Sequence, residues 1–277
     1  MFPFGGIILI TFAAAIVNGA LGYGFSSITV PLALFLISNR VLNPALVAIE
    51  VVLNAYVLWV NRSAIPLVAR RVAPLVVGLV PGVMAGTLVV AQISPSWVKL
   101  ATYTALLPVI LVQASGFRRP IRAERSAGAL FGLGLGTLYS VTTISGPPLA
   151  VALNNQGLSK DEFRAALGLV RLAESGMTAI AYLVVGLFTR ESLGLIPQIV
   201  PSVIVGVPIG VVLIRHLSPE TFRRMCMSFD AWVVGFGLSM LLRELRIVPG
   251  SAAFSVLWVV IAIDGWLLYR YFGSRGT

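Results

Sequence analysis

Apolar residues in this chain fall into long blocks separated by short, arginine-bearing polar loops. Blocks long enough to span a bilayer, which takes roughly 20 apolar residues, run over 43–60, 67–91, 97–114, 165–187, 192–214, 221–242 and 252–271. Two further stretches, 5–38 and 126–156, are too long for one helix, and Gly or Pro interrupts each near its middle. Split there, each arm has about 14 residues, or roughly 21 Å of helix, which is short of a comfortable crossing. The pattern predicts an all-α polytopic membrane protein with about seven full spans. Two broken, re-entrant helical hairpins complete it, each entering and leaving on one side.

Composition agrees with the pattern. Of 277 residues, 58% are hydrophobic and 11% charged, with a mean hydropathy of +0.96, whereas soluble chains carry roughly 25% charge. Apolar surface on this scale needs the lipid bilayer as its solvent. A single cysteine, Cys226, excludes an intramolecular disulfide. A single histidine, His216, argues against haem, zinc or di-metal sites, which need several N or S ligands. No cofactor, metal or nucleic-acid partner is expected. The start, Met1-Phe2-Pro3-Phe4, has no basic n-region, so no cleaved signal peptide is expected.

The two halves of the chain repeat. Gly19-Ala-Leu-Gly22-Tyr-Gly24-Phe-Ser-Ser-Ile-Thr-Val-Pro31 aligns with Gly136-Thr-Leu-Tyr-Ser-Val-Thr-Thr-Ile-Ser-Gly146-Pro-Pro148. Pro81-Gly82-Val-Met-Ala-Gly86 aligns with Val205-Gly206-Val-Pro-Ile-Gly210, a G-x-x-x-G pair in each half that suits close helix packing. Ile93-Ser94-Pro95 aligns with Leu217-Ser218-Pro219, with Lys99 and Arg223 four residues beyond each Pro. Three matches in one order point to an internal duplication. It divides the chain into a first repeat (1–116), a basic linker (117–125), a second repeat (126–246) and a final span with the C-terminus (247–277).

Net charge is +10, and in a membrane protein such an excess marks cytoplasmic loops. Arg62, Arg70 and Arg71 mark one such loop, and Arg118, Arg119, Arg122 and Arg125 the next but one. If each hairpin returns to its own side, the second repeat is inverted. Arg215, Arg223, Arg224, Arg270 and Arg275 then lie inside, and Arg40, Arg190, Arg243 and Arg246 outside. Parallel repeats would put the first five outside, so inversion obeys the positive-inside rule better. Inverted repeats with paired broken helices are a transporter architecture whose site lies between the repeats, near the membrane midplane. The location expected is a bacterial inner membrane, multi-pass, with a cytoplasmic C-terminus.

The breaks are Gly22–Ser27 and Tyr139–Pro148. Glycine lets backbone approach a ligand. Pro31 and Pro148 suit the first turn of a half-helix, whose N–H groups and positive dipole end attract anions. Ser26, Ser27, Ser140, Thr142, Thr143 and Ser145 offer hydroxyl donors, unless these bond back to their own helix. Arg171 stands in an apolar stretch with Glu174 at i+3, and the repeat alignment pairs it with Asn54. It reads as the anchor of an oxyanion, through its planar fork, or as half of a structural Arg–Glu pair. Glu174 would orient it or couple a proton. The expected binding set is Gly22, Gly24, Ser26, Ser27, Asn54, Thr142, Thr143, Ser145, Gly146 and Arg171, with Glu174 in the coupling or orienting role and no catalytic residue.

Weaker candidates are Asn18, Asn154 and Asn155 beside the hairpins, and Glu50, Asp230 and Asp264 as proton carriers. Asp264 stands one turn from the last basic cluster and reads as a surface residue, as does His216.

The chain resembles the sulfite exporter (TauE/SafE) family of bacterial permeases. The resemblance rests on Gly19-x-x-Gly22-x-Gly24 leading to Pro31, on Gly132-x-Gly134-x-Gly136 leading to Pro147-Pro148, and on the repeated Gly-Pro-rich third element. It implies outward movement of sulfite, sulfoacetate or a related organosulfonate as the small anionic substrate. Family members often carry consecutive glycines at these breaks, where this chain has Thr142-Thr143-Ile144-Ser145-Gly146, which leaves the anion open. A permease or channel for another organic anion, and a non-catalytic subunit of a larger complex, are the alternatives. Self-association into a homo-oligomer is left open. The scarcity of His and Cys and the lack of a nucleophile–base pair argue against an enzyme.

Overall fold

The computed structural model describes residues 2–115, 125–154, 158–214, 216 and 219–273. Among these there are helices and turns only. The helices are α1 (Phe2–Leu21), α2 (Phe25–Ala33), α3 (Asn39–Val60), α4 (Ile65–Gln92), α5 (Pro95–Ala114) and α6 (Arg125–Thr142). They are followed by α7 (Gly146–Asn154), α8 (Lys160–Val185), α9 (Arg190–Leu213), α10 (Pro219–Glu244) and α11 (Ser255–Gly273). Seven segments are long and apolar enough to cross a membrane, one at each expected span. The basic linker from 117 to 124, Asn155, Arg215, Ser218 and Arg275 lie outside the described residues.

Both interrupted stretches break where the glycine and Thr-Ser sequences stand, but their arms are unequal. The first hairpin has arms of 20 and 9 residues, the second of 18 and 9, which corrects the expectation of two short arms each. Gly19, Gly132 and Gly136 do not interrupt helices here. They press them together, since a Cβ at any of the three would overlap backbone of the opposing helix.

These contacts pair the halves crosswise. Gly206 and Gly210 of α9 lie against Phe12 to Ala20 of α1, while Gly78, Gly82 and Gly86 of α4 lie against Ala129 to Ser140 of α6. Helices α3 and α8 pack on each other, as do α5 and α10.

Each hairpin returns to the end from which it starts. Gly6 at the start of α1 approaches Leu36, just beyond α2. Lys99 Nζ, in the first turns of α5, donates to the Leu34 carbonyl at 2.6 Å. Arg40 ties the start of α3 to the end of α4 through the carbonyls of Val90, Ala91 and Ile93. At the other end of the bundle, Gly128 of α6 meets Pro74 of α4. Leu153 of α7 belongs to a buried cluster with Ala64, Val68 and Leu75.

The α1–α9 interface can be tested within one helix. Gly210→Ala drives a Cβ into the Ile16 carbonyl, whereas Gly194, also in α9, has nothing within 4 Å of the same atom. Overpacking of this kind costs about 1–3 kcal/mol or more. Gly210→Ala should therefore lower the melting temperature in detergent, and Gly194→Ala should leave it within error.

Candidate functional site

Two helix starts and two mid-helix side chains build the site. Helix α1 ends as Gly22 takes φ +81° and Gly24 takes φ +107°, conformations that side chains with a Cβ rarely adopt. Helix α2 begins immediately after, so its N-terminus lies at the break. In the second hairpin Thr143 makes the turn at φ 57°, and α7 starts at Gly146. The tips meet: a Cβ on Gly146 would be 3.2 Å from Tyr23 Cβ. Pro148 falls in the first turn of α7, as expected, together with Pro147. Pro31 falls in the second turn of α2, which corrects its assignment to a first turn. Its carbonyl instead accepts from Tyr103 Oη at 2.9 Å.

Halfway along α3, Glu50 reaches this junction and is fully buried. Its Oε1 accepts from Ser26 Oγ at 2.6 Å and from Arg171 Nη2 at 2.8 Å, and its Oε2 accepts from Tyr139 Oη at 2.7 Å. One carboxylate thus holds side chains from α2, α6 and α8. Arg171 is 3% exposed and its ion pair is with Glu50, which corrects the expected local pairing with Glu174. Glu174 instead accepts from Ser145 Oγ, at the start of α7. Asn54 Nδ2 lies 3.4 Å from the Arg171 carbonyl and 3.4 Å from Ser175 Oγ. The two positions matched by the repeat alignment therefore face each other across the α3–α8 contact.

The remaining residues of the expected set lie at the tips with different tasks. Ser27 is buried in the first turn of α2. Thr142 shapes the turn: its hydroxyl donates to the Leu138 carbonyl at 2.7 Å and accepts from Ile144 N at 3.0 Å. Thr143 donates to the adjacent Thr142 carbonyl at 2.7 Å, and Ser140 bonds back to Gly136 of its own helix. Of the hydroxyls, Ser26 and Ser145 serve the carboxylates. Asn18 is buried just before the first break.

Sequence reasoning undervalued Glu50 and passed over Tyr139 and Tyr23. The available signal for Glu50 was a lone acid at mid-span of an apolar helix, which is costly without a partner. Asp264 is another correction: it is buried rather than at the surface and accepts from Ser228 Oγ at 2.9 Å. Asp230 is buried as well, and His216 is exposed as expected.

Paired broken helices whose ends converge on buried charged side chains define a multi-pass membrane protein of transporter type. The chain belongs to the sulfite exporter TauE/SafE family, whose family model matches residues 7–236. Neither the curated proteins nor the solved structures gave a match.

Breaking one side of a buried ion pair strands the other charge, at about 3–5 kcal/mol. Arg171→Met should therefore melt well below the parent protein. The double variant Arg171→Met with Glu50→Gln should recover part of that loss, because no bare charge is left behind. Thermal melts of the three proteins in one detergent check this.

Proposed function

We propose that this chain is a secondary transporter that exports a small sulfur-containing oxyanion, sulfite, sulfoacetate or a related organosulfonate, across a bacterial inner membrane. One observation carries the reading: Arg171 and the N-termini of two half-helices converge at one buried junction between the two halves. Arg171 spends Nη2 on Glu50, while its buried Nε has no partner among the described residues. That donor, with the first N–H groups of α2 and the single Gly146 N–H that α7 offers ahead of Pro147 and Pro148, suits an oxyanion with several acceptor oxygens. Gly22, Gly24 and Gly146 keep the backbone bare there, and Ser26, Ser27, Thr142, Thr143, Ser145 and Asn54 complete the polar shell. The side chains of the junction are closed off from the exterior, so the anion enters when the tips part.

The inverted-repeat arrangement belongs to the same proposal. It is supported by hairpins that return to opposite ends of the bundle and by the charge at those ends. Arg62, Arg70, Arg71, Arg164, Arg224 and Arg270 lie toward one end, which we assign to the cytoplasm with the C-terminus. Export then follows the field, since a potential of about 100 mV, negative inside, is worth roughly 2.3 kcal/mol per charge.

Flux into proteoliposomes tests the substrate. Sulfite and sulfoacetate should show saturable transport and counterflow, and acetate should not compete. Arg171→Lys keeps the charge but loses the fork, and it should lower flux by about tenfold or more while still folding. Equal transport of acetate, or no counterflow of any sulfur oxyanion, would remove this substrate class.

Topology is tested separately on a Cys226→Ala background. A cysteine at Arg62 should resist an impermeant maleimide applied outside intact cells, and one at Arg246 should react. The reverse pattern would turn the assignment of sides over.

A further inference from the structure

The junction holds one carboxylate more than it has cations. Glu50 and Arg171 cancel, so an ionised Glu174 leaves the group at −1 and a protonated one leaves it at zero. The two acids are also treated differently. Glu50 receives three donors on two oxygens. Among the described residues Glu174, equally buried, receives only Ser145 on Oε2, and its Oε1 has no hydrogen-bond partner. An ionised carboxylate out of water requires partners for both oxygens.

Neighbouring elements offer little to answer a charge on Glu174. The charged residues of α3, α4, α6, α7 and the turn Arg62–Ala64, which also packs on α8, are Arg40, Glu50, Arg62, Arg70, Arg71 and Arg125. Arg62 is exposed, with Nη1 donating to the Trp59 carbonyl at 3.1 Å. Arg40 sits at one end of the bundle, bound to carbonyls of α4 and the residue after it. Arg70, Arg71 and Arg125 start their helices at the other end. Only Glu50 stands at the level of Glu174, and it is negative. Tyr139, the titratable residue of α6 nearest the tip, already donates to Glu50. On α8 itself, Arg171 is taken by Glu50 and Thr178 is uncharged.

We infer that Glu174 carries a proton that travels with the transported anion. With the proton on, the junction is neutral and Oε1 becomes a donor, as the unpartnered Arg171 Nε is, so an oxyanion is held. With the proton released, the same oxygen becomes an acceptor with a negative charge, and the anion is expelled. A dianion then moves with one proton and carries one net negative charge instead of two. This rests on the transporter reading, and it adds the co-transported ion. Because Ser145 caps α7 and bonds Glu174, the loss or gain of the proton is felt directly at the hairpin tip.

Two experiments test it, one of them without any substrate. Glu174→Gln keeps the shape and the acceptor for Ser145 but has no titratable proton to release, and it should melt as high as the parent protein. Glu50→Gln, which breaks the ion pair, should melt clearly lower. Equal losses in both would mean that Glu174 is ionised and paired, and would overturn the proposal. In proteoliposomes clamped at zero potential with potassium and its ionophore, a trapped pH dye should report one proton moving with each sulfoacetate. A gradient of one pH unit should then support about tenfold accumulation. Counterflow of sulfoacetate with no proton movement, or a sodium requirement in its place, would also overturn it. If Glu174→Gln melts like the parent but no sulfur oxyanion is carried, the substrate assignment fails and the neutral state of Glu174 stands.

Discussion

A carboxylate buried in the middle of a membrane protein must be answered, and Glu50 is answered by three donors from three helices. Much else in the structure follows from that requirement. Ser26 can reach Glu50 only because α2 starts within the bundle, and that start depends on the left-handed turns at Gly22 and Gly24. Tyr139 can reach it only from the last turns of α6, and Arg171 only from the middle of α8. The ion pair thus acts as a fixed point to which both hairpins and both central helices are referred. Breaking the pair costs more than one contact, because the desolvated partner stays behind.

Around that point the bundle is held by close backbone approach as well as by a buried apolar core that includes Phe25, Leu46 and Tyr103. Lipid tails are as apolar as leucine, so helices in a membrane gain little by burying leucine against one another. Glycine contact lets α1 lie on α9 and α4 on α6 with their backbones touching. Other large apolar residues are left to face lipid, as Leu67, Val77 and Met84 do along α4.

The seven spans were readable from the sequence because length and apolarity alone decide them. The positions of both breaks were readable too, from Gly22, Gly24 and the Thr142–Ser145 run. Arm lengths were not. Nothing in the sequence after Ala33 or Asn154 marks the short second arms, and the close approaches at Gly19 and Gly132 show only once the opposing backbone is in place. The Glu50–Arg171 pair was hidden for a related reason. Its members stand 121 positions apart, while Glu174 stands one turn from Arg171 and looks like the natural partner. Local spacing offers candidates, but only the packing of α3 on α8 selects between them.

Helix α11 changes the meaning of the chain's two ends. The first hairpin begins beside the start of α3, and α10 finishes at the same face, near Lys99 and the C-terminus of α2. The six long helices α3, α4, α5, α8, α9 and α10 therefore bring the chain back to the face of the bundle at which α1 starts. Helix α11 adds a seventh, and Arg224 receives it at the opposite face through the Leu267 carbonyl and the Tyr271 ring. The family match stops at residue 236, within α10. A bundle that closed with α10 would finish at the face where α1 starts, whereas α11 carries this one across to the opposite face.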